Sequence, residues 1–271
     1  MVRVEMLTVG KELLIGRTMN SNAHWVGKRL ARMGSMLKEI TTVDDDLKEI
    51  GEALKGVLAR SPEFIVVVGG LGPTPDDMTL LGVAGALGKP LKKNWEALAM
   101  IREHYAAAGF ADMELTPARV KMATLPAGAR PLKNDEGTAP GVRLAAGKTV
   151  VFCLPGVPAE MRSIYRRSVE PEVRARLGKM HRRYVTMKLE GVPESALAPV
   201  LARELRKHPA AYIKSHPRGV KGGVSKMELD IAVIDADRAA ADREGDVVAE
   251  EMRSKVIELG GKVGPARSST T

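Results

Sequence analysis

Three segments of this chain carry the residue types that phosphate chemistry uses. Gly10-Lys11-Glu12-Leu13-Leu14-Ile15-Gly16 places a carboxylate between two glycines, and Gly69-Gly70-Leu71-Gly72-Pro73-Thr74-Pro75-Asp76-Asp77-Met78-Thr79 joins three glycines to two carboxylates. Pro155-Gly156-Val157-Pro158-Ala159-Glu160 is the third. Glycines let a backbone approach a phosphate closely and turn its N–H groups toward it. A helix begun near Asp77 would add unpaired N–H donors and the positive end of a dipole. Glu12, Asp76 and Asp77 are hard oxygen donors, suited to a Mg²⁺ shared with substrate phosphates rather than held in a closed protein cage. The second segment also has a purely structural reading. Thr74 could be a helix N-cap, Pro75 the first helical residue and Asp77 the carboxylate of a capping box. The two roles can coexist. Adjacent residues do not share a helix face, so Asp76 and Asp77 are expected to divide between ligand or metal on one side and cap or solvent on the other.

Other chemistries find less support. Gly70-Leu71-Gly72 lacks the third glycine of a dinucleotide fingerprint, and no Walker A sequence is present. The five histidines, His24, His104, His181, His208 and His216, show no metal-ligand spacing, which argues against a structural zinc site. Cys153 lies in the apolar run Val150 to Leu154 and reads as a buried core thiol. A single cysteine suits a reducing compartment. No signal peptide opens the chain, and no apolar stretch approaches the roughly 20 residues of a membrane span. A cytoplasmic protein with no membrane partner is expected. The net charge of +9 favours anionic partners. The basic residues are scattered, however, and read as a solvated surface rather than a nucleic-acid footprint. The basic segment Lys214 to Gly223 reads as flexible enough to touch phosphates. It has only Tyr212 nearby for stacking, so RNA binding is the weaker rival.

The elements that must position these loops follow from periodicity. Val2, Val4 and Met6 alternate with Arg3 and Glu5, predicting a first strand, and Met36 to Val43 predicts a second. Phe64 to Val68 and Thr149 to Leu154 are continuous apolar runs, as in strands buried on both faces of a parallel sheet. Helices are expected over about 20–33, from Asp44-Asp45-Asp46 to about 60, to about 87 after the glycine loop, and over 94–108, 116–122 and 158–176. Three of these strands then end in Gly- or Pro-rich loops, and open parallel sheets bind ligands beyond the carboxyl ends of their strands. After a polar, basic linker at 178–183 the rhythm changes to βαββα: strand 184–189, helix 194–207, strands 211–215 and 227–233, and helix 237–259. With 44% hydrophobic and 3% aromatic residues, the core must be aliphatic. The expectation is an α/β domain over 1–177 with a mostly parallel sheet, a small α+β domain over 183–262, and a frayed tail over 263–271.

Gly10-Lys11-Glu12-Leu13-Leu14-x-Gly16 followed by Asn20-Ser21-Asn22 resembles the opening motif of CinA-type proteins. The Gly69 to Thr79 loop resembles their most characteristic segment, and is similar to the corresponding loop of the molybdopterin-binding MoaB/Mog/MoeA proteins. Gly137-Thr138-Ala139-Pro140-Gly141 and Leu154-Pro155-Gly156-Val157-Pro158-x-Glu160-Met161 continue the match in family order, over about residues 1–175. Lys11 stands where Asp, Asn or Thr is common, and Val68 where Thr is usual. Gly191-Val192-Pro193-Glu194-Ser195 resembles a segment of the smaller domain that follows in CinA-related proteins.

The resemblance implies a three-layer MoaB/Mog-like sandwich. It also implies a ligand that is a phosphate-bearing nucleotide or molybdopterin, and either metal-dependent hydrolysis of a pyrophosphate such as ADP-ribose or transfer of an adenylyl group. In the hydrolytic reading, Gly69, Gly70 and Gly72 cradle a phosphate and Thr74 bonds one of its oxygens. Asp77, with Glu12 or Asp76, holds Mg²⁺ or Co²⁺. Gly10, Asn134, Gly137, Ala139, Pro140, Gly141, Pro155 and Gly156 complete the binding wall. The rival is a non-catalytic molybdopterin- or nucleotide-binding module. A homodimer or trimer is expected by analogy. Many CinA-related proteins carry a C-terminal amidase acting on nicotinamide mononucleotide. The chain ends before such a segment, so that activity is expected to be absent.

Overall fold

The structure is a computed structural model that describes residues 2–110 and 114–270. Thr271, the last residue of the expected tail, lies outside the described residues. The chain divides into two compact units, one running to Leu177 without Arg32–Gly34, the other taking Gly178 onward together with Arg32–Gly34.

The first unit opens with β1 (Val4–Val9), the short α1 (Lys11–Leu14) and α2 (Ser21–Arg32). Then come β2 (Leu37–Val43), α3 (Leu47–Ala59), β3 (Phe64–Val68) and α4 (Thr79–Ala86). A small ribbon of β4 (Leu91–Lys93) and β5 (Thr124–Pro126) brackets α5 (Trp95–Ala107) and α6 (Pro117–Met122). The chain returns through β6 (Arg130–Leu132), β7 (Gly141–Ala146) and β8 (Thr149–Leu154) into α7 (Pro158–Ile164) and α8 (Glu170–Leu177). A wider π turn, Tyr165–Val169, joins those two helices. Pro171 explains it: the ring has no N–H and displaces the carbonyl one turn earlier, so the helix widens ahead of it.

The sheet order is β2-β1-β3-β8-β7-β6. The first four strands are parallel, and β7 and β6 run antiparallel at the far edge. Successive strand residues face opposite sides. Leu7, Val9, Ile65, Val67, Val151 and Cys153 join Ile50, Leu54, Val83, Leu98 and Ile101 in one core. On the other face α2 meets β2 where Gly27 faces Leu37, and α7 meets β7 where Gly141 faces Ile164. Helices on both faces of a mostly parallel sheet are the expected α/β architecture. Burial pushes the Cys153 thiol up to about 12, as befits a core residue.

Alternation in β1 misleads in one respect. It suggests an exposed face, yet every residue of the strand is buried. Glu5 is covered because Arg3 and Arg60 pair with its two oxygens at 2.7 and 2.6 Å, and a buried carboxylate requires such partners.

The second unit contains β9 (His181–Glu190), α9 (Glu194–Lys207), β10 (Ala211–Lys221), β11 (Val224–Asp235), α10 (Arg238–Glu258), β12 (Lys262–Val263) and β13 (Arg267–Thr270). Three expectations change here. The linker is shorter, because β9 already begins at His181. The basic segment from Lys214 is the arm of a long hairpin, turning at Gly222 and Gly223 with φ of +60° and +76°, not a flexible loop. The expected tail pairs instead with β9, Arg267 opposite Thr186 through Thr270 opposite Arg183. That edge of β9 would otherwise leave ladder groups unpaired.

Candidate functional site

Four parallel strands end at Val9, Val43, Val68 and Leu154, all toward the same edge of the sheet. From β1 the chain passes outward to β2, then crosses back to β3 on the other side of β1. That reversal opens a crevice between neighbouring strand ends. A cavity of about 580 Å³ lies there, lined by residues from all four loops: Gly10 and Glu12, Asp45, Gly69 to Pro73 with Asp76 and Asp77, and Pro155 to Pro158.

The loops are locked to one another. Gly10 N–H donates to Val43 O and Gly69 N–H to Leu154 O, both at 3.0 Å. Asn22 Nδ2 donates to Gly156 O at 2.8 Å. Gly69 has φ +113°, and a Cβ there would overlap the Val9 carbonyl oxygen, so only glycine lets β1 and β3 end this close together. Gly72 needs its missing side chain too, since a Cβ would stand 2.6 Å from Asp77 Oδ2.

The helix after the glycine loop begins at Thr79, two residues beyond Asp77, and has no side-chain cap. Thr79 N–H is drawn back to Gly70 O at 3.2 Å, which folds the intervening residues into a separate turn. Within it Asp77 N–H donates to Thr74 O, while Thr74 N–H and Oγ1 both donate to Asp77 Oδ2 at 2.9 and 2.6 Å. The capping-box pair therefore exists, but it closes a turn rather than a helix. The Thr74 hydroxyl also holds the exposed Asp76 carboxyl below its ordinary range.

Electrostatically the cavity is acidic. Glu12, Asp45, Asp76, Asp77 and Glu160 line it, and no Lys or Arg does among the described residues. Lys11 turns its ammonium to Asp44 at 3.1 Å. Burial first, and then the charges of Glu12, Asp44 and Asp76, push Asp45 above the ordinary carboxylate value, although an amide bond from Lys11 opposes them. The net charge of +9 is thus not concentrated at this site, and positive character there comes from backbone amides. Gly69 N–H is committed to the sheet. The N–H groups of Gly70 and Gly72 are taken by no hydrogen bond among the described residues.

Of the residues singled out in the sequence, Gly10, Glu12, Gly69, Gly70, Gly72, Asp76, Asp77, Ala139, Pro155 and Gly156 line the cavity. Thr74, Asn134, Gly137, Pro140 and Gly141 do not. Thr74 is exposed and faces Asp77. Asn134 lies behind the wall, donating to Glu160 Oε2 at 2.6 Å and Ala139 O at 2.8 Å. Gly137 makes room for the Glu160 carboxyl, Pro140 is buried, and Gly141 packs on Ile164. Sequence reasoning missed Thr8, Asp45 and Tyr105 in the lining. Asp45 carried a usable signal, because the Asp44-Asp45-Asp46 run also follows a parallel strand. The three aspartates divide their tasks: Asp44 pairs with Lys11, Asp45 lines the cavity, and Asp46 caps α3 through Lys48 and Glu49 N–H.

A family described as "Probable molybdopterin binding domain" matches residues 5–175. The chain belongs to this family. The crystal structure of the protein CinA with unknown function from Thermoplasma acidophilum is 42% identical, with a TM-score of 0.57, and covers 62% of this chain and 98% of its own. A Pyrobaculum arsenaticum protein is 39% identical over 94% of this chain and 93% of its own length. One from Aeropyrum pernix is 40% identical over 96% of each. The archaeal relatives therefore match along both units, whereas the CinA structure corresponds in extent to the first unit's share of the chain. The molybdopterin-binding, CinA-like resemblance expected from the four ordered motifs holds. Among the described residues no helix is long and apolar enough to cross a membrane.

Proposed function

We propose that the cavity binds a nucleotide pyrophosphate together with a divalent cation and hydrolyses its phosphoanhydride. The observation that carries this reading is five carboxylates around open glycine amides, with no basic side chain in the lining. A pyrophosphate alone would be repelled by such a lining. With Mg²⁺ or Co²⁺ the charges balance, and the hard oxygen donors fit that kind of ion. Glu12 and Asp76 would hold it together with the substrate's own phosphate oxygens. It would neutralise the non-bridging oxygens in the transition state.

The remaining work falls to this chain's own residues. Gly70 and Gly72 offer amides to a phosphate, Asp77 keeps the glycine loop in shape, and Asn134 fixes Glu160. Leu71, Tyr105 and Met122 offer apolar surface to a base or pterin ring. In hydrolysis a water oxygen bonds to phosphorus, the bridging P–O bond breaks, and the water proton passes to a lining carboxylate. The homo-oligomer expected from the resemblance is part of this proposal, checked by light scattering.

The test is release of AMP from ADP-ribose with Mg²⁺ or Co²⁺, compared between the wild-type chain and Glu12→Gln. Metal-dependent turnover that Glu12→Gln lowers at least a hundredfold is expected. Tight metal-dependent binding without turnover would instead favour the non-catalytic module that the family description suggests.

A further inference from the structure

The second unit holds a buried cluster remote in sequence from all four cavity loops. Glu204 and His208 stand one turn apart at the end of α9, on one face. Glu244 and Glu251 stand two turns apart on α10. The side chains of His208 and Glu204 are only 7% and 5% exposed. His208 Nδ1 lies 2.6 Å from Glu244 Oε1, and Nε2 lies 2.8 Å from Glu251 Oε2 and 3.8 Å from Glu204 Oε2.

Hydrogen bonds from His208 leave this arrangement unsatisfied, and without a metal Glu204 is served only by sharing a proton with Glu251. Donation from Nδ1 to Glu244 leaves the Nε2 lone pair facing two carboxylates. A second proton on Nε2 serves Glu251, whose other oxygen pairs with Lys207, but it still leaves Glu204 Oε2 buried with no partner. A buried carboxylate oxygen without a partner is among the costlier features a fold can keep. One ligand atom each from Glu204, His208 and Glu251 lies within 4.8 Å of the others, a grouping of metal-ligating side chains found nowhere else among the described residues. Tetrahedral bonds of about 2.0–2.1 Å put neighbouring donors about 3.3 Å apart, between the two separations seen at Nε2.

We infer that Glu204, His208 and Glu251 form a binding site for a divalent transition-metal ion, with Glu244 orienting the imidazole. The donor set of one imidazole nitrogen and two carboxylates suits Zn²⁺, Co²⁺ or Mn²⁺ better than Mg²⁺ or Ca²⁺, which prefer oxygen alone. A carboxylate on the far nitrogen of a ligating histidine is the usual way of fixing its tautomer. The ion would take the place of the Nε2 proton, give Glu204 Oε2 its missing partner, and tie α9 to α10. The spacing of the histidines to one another misses the site, because His208 works with glutamates and with no second histidine.

The test uses the full chain, stripped with a chelator and titrated with Zn²⁺ against a chromophoric competitor. The variant Glu12→Gln/Asp76→Asn disables the cavity, so any ion it retains is held elsewhere. It should keep one equivalent and melt higher with Zn²⁺. Adding Glu204→Gln, which keeps shape and volume, should weaken that binding at least a hundredfold and abolish the shift. Adding Glu244→Gln instead should weaken it about tenfold to a hundredfold. Visible absorption of the Co²⁺ form of the cavity variant reports coordination without any change to the cluster. No bound equivalent and no Co²⁺ absorption in the cavity variant, or unchanged affinity after Glu204→Gln, would overturn the site and leave a metal-free ion-paired histidine.

Discussion

Asp77 and Thr74 close the turn beyond the glycine loop through three hydrogen bonds, two of them converging on a single carboxylate oxygen. Asp77 Oδ2 therefore sets the path of the chain just after Gly72, whose amide is offered to the cavity. Removing the Thr74 hydroxyl takes one bond from an exposed turn and costs about 1 kcal/mol of local order. Thr74→Val should leave the melting temperature almost unchanged and weaken ADP-ribose binding severalfold. Asp77→Ala removes the acceptor for both Thr74 donors and should weaken binding at least tenfold more. Isothermal titration with ADP-ribose and Mg²⁺ checks both. Equal affinities for Thr74→Val and Asp77→Ala would show that the turn does not order the loop.

Gly69 and Gly156 face each other across the strand ends and should respond oppositely to the same methyl group. At Gly69 the added Cβ meets the Val9 carbonyl oxygen with the backbone at φ +113°. Strain and overlap together should cost about 3 kcal/mol or more. At Gly156 the methyl would stand 3.5 Å from Gly69 Cα, an ordinary contact. Gly156→Ala should keep near-wild-type stability, whereas Gly69→Ala should lower the urea midpoint sharply. Matching midpoints would mean that β1 and β3 do not end in the tight approach described.

These two glycines also show what the sequence could and could not reveal. The apolar runs at Phe64–Val68 and Thr149–Leu154 announced buried parallel strands to the residue, because nothing but burial on both faces explains five such residues together. The loops after them followed, and with them nearly half of the cavity lining. The charge of the cavity did not follow. Lys11 sits beside Glu12 in the sequence, yet its ammonium leaves for Asp44, a contact between strand ends that no local pattern encodes. Asp45 did carry a signal in the strand before it, but the aspartate run reads first as a helix start, and the β1–β2 pairing is what brings it beside Glu12. In the second unit, β13 was missed because the polar run Arg267 to Thr270 has no apolar alternation. Its strand character comes from the open edge of β9.

For the proposed nucleotide site, the lack of basic lining among the described residues predicts that the cation is needed for binding and not only for turnover. Chelation should weaken ADP-ribose affinity at least tenfold at constant ionic strength, and Mg²⁺ should restore it. Replacing a lining acid should act in opposite directions in the two conditions. Asp45→Asn removes one negative charge, so it should weaken nucleotide binding with Mg²⁺ and improve it slightly with chelator present. Fluorescence titration of a labelled ADP-ribose in both buffers reads the crossover. Affinity that is indifferent to chelation would remove the cation from the proposed site.

Glu170 supplies a stability test that is independent of the ligand. Burial alone would raise its carboxyl. The guanidinium groups of Arg29 and Arg174, with contacts of 2.5–3.1 Å, outweigh that and hold it below its ordinary value of 4.5. A carboxylate depressed in the folded state contributes stability above its unfolded value, and this is lost as pH falls through the folded one. Glu170→Gln keeps the volume but leaves Arg29 without its counter-charge. Arg29 is 26% exposed, which softens the penalty to about 2 kcal/mol, below that of a fully buried broken pair. Urea unfolding should therefore show the variant less stable by about that amount at pH 7. The gap should narrow steadily from pH 5 toward pH 3 as the wild-type carboxyl takes up its proton. A difference that stayed constant over that range would assign the loss to packing, and the Arg29–Glu170–Arg174 ion pairs would not be what fastens α2 to α8.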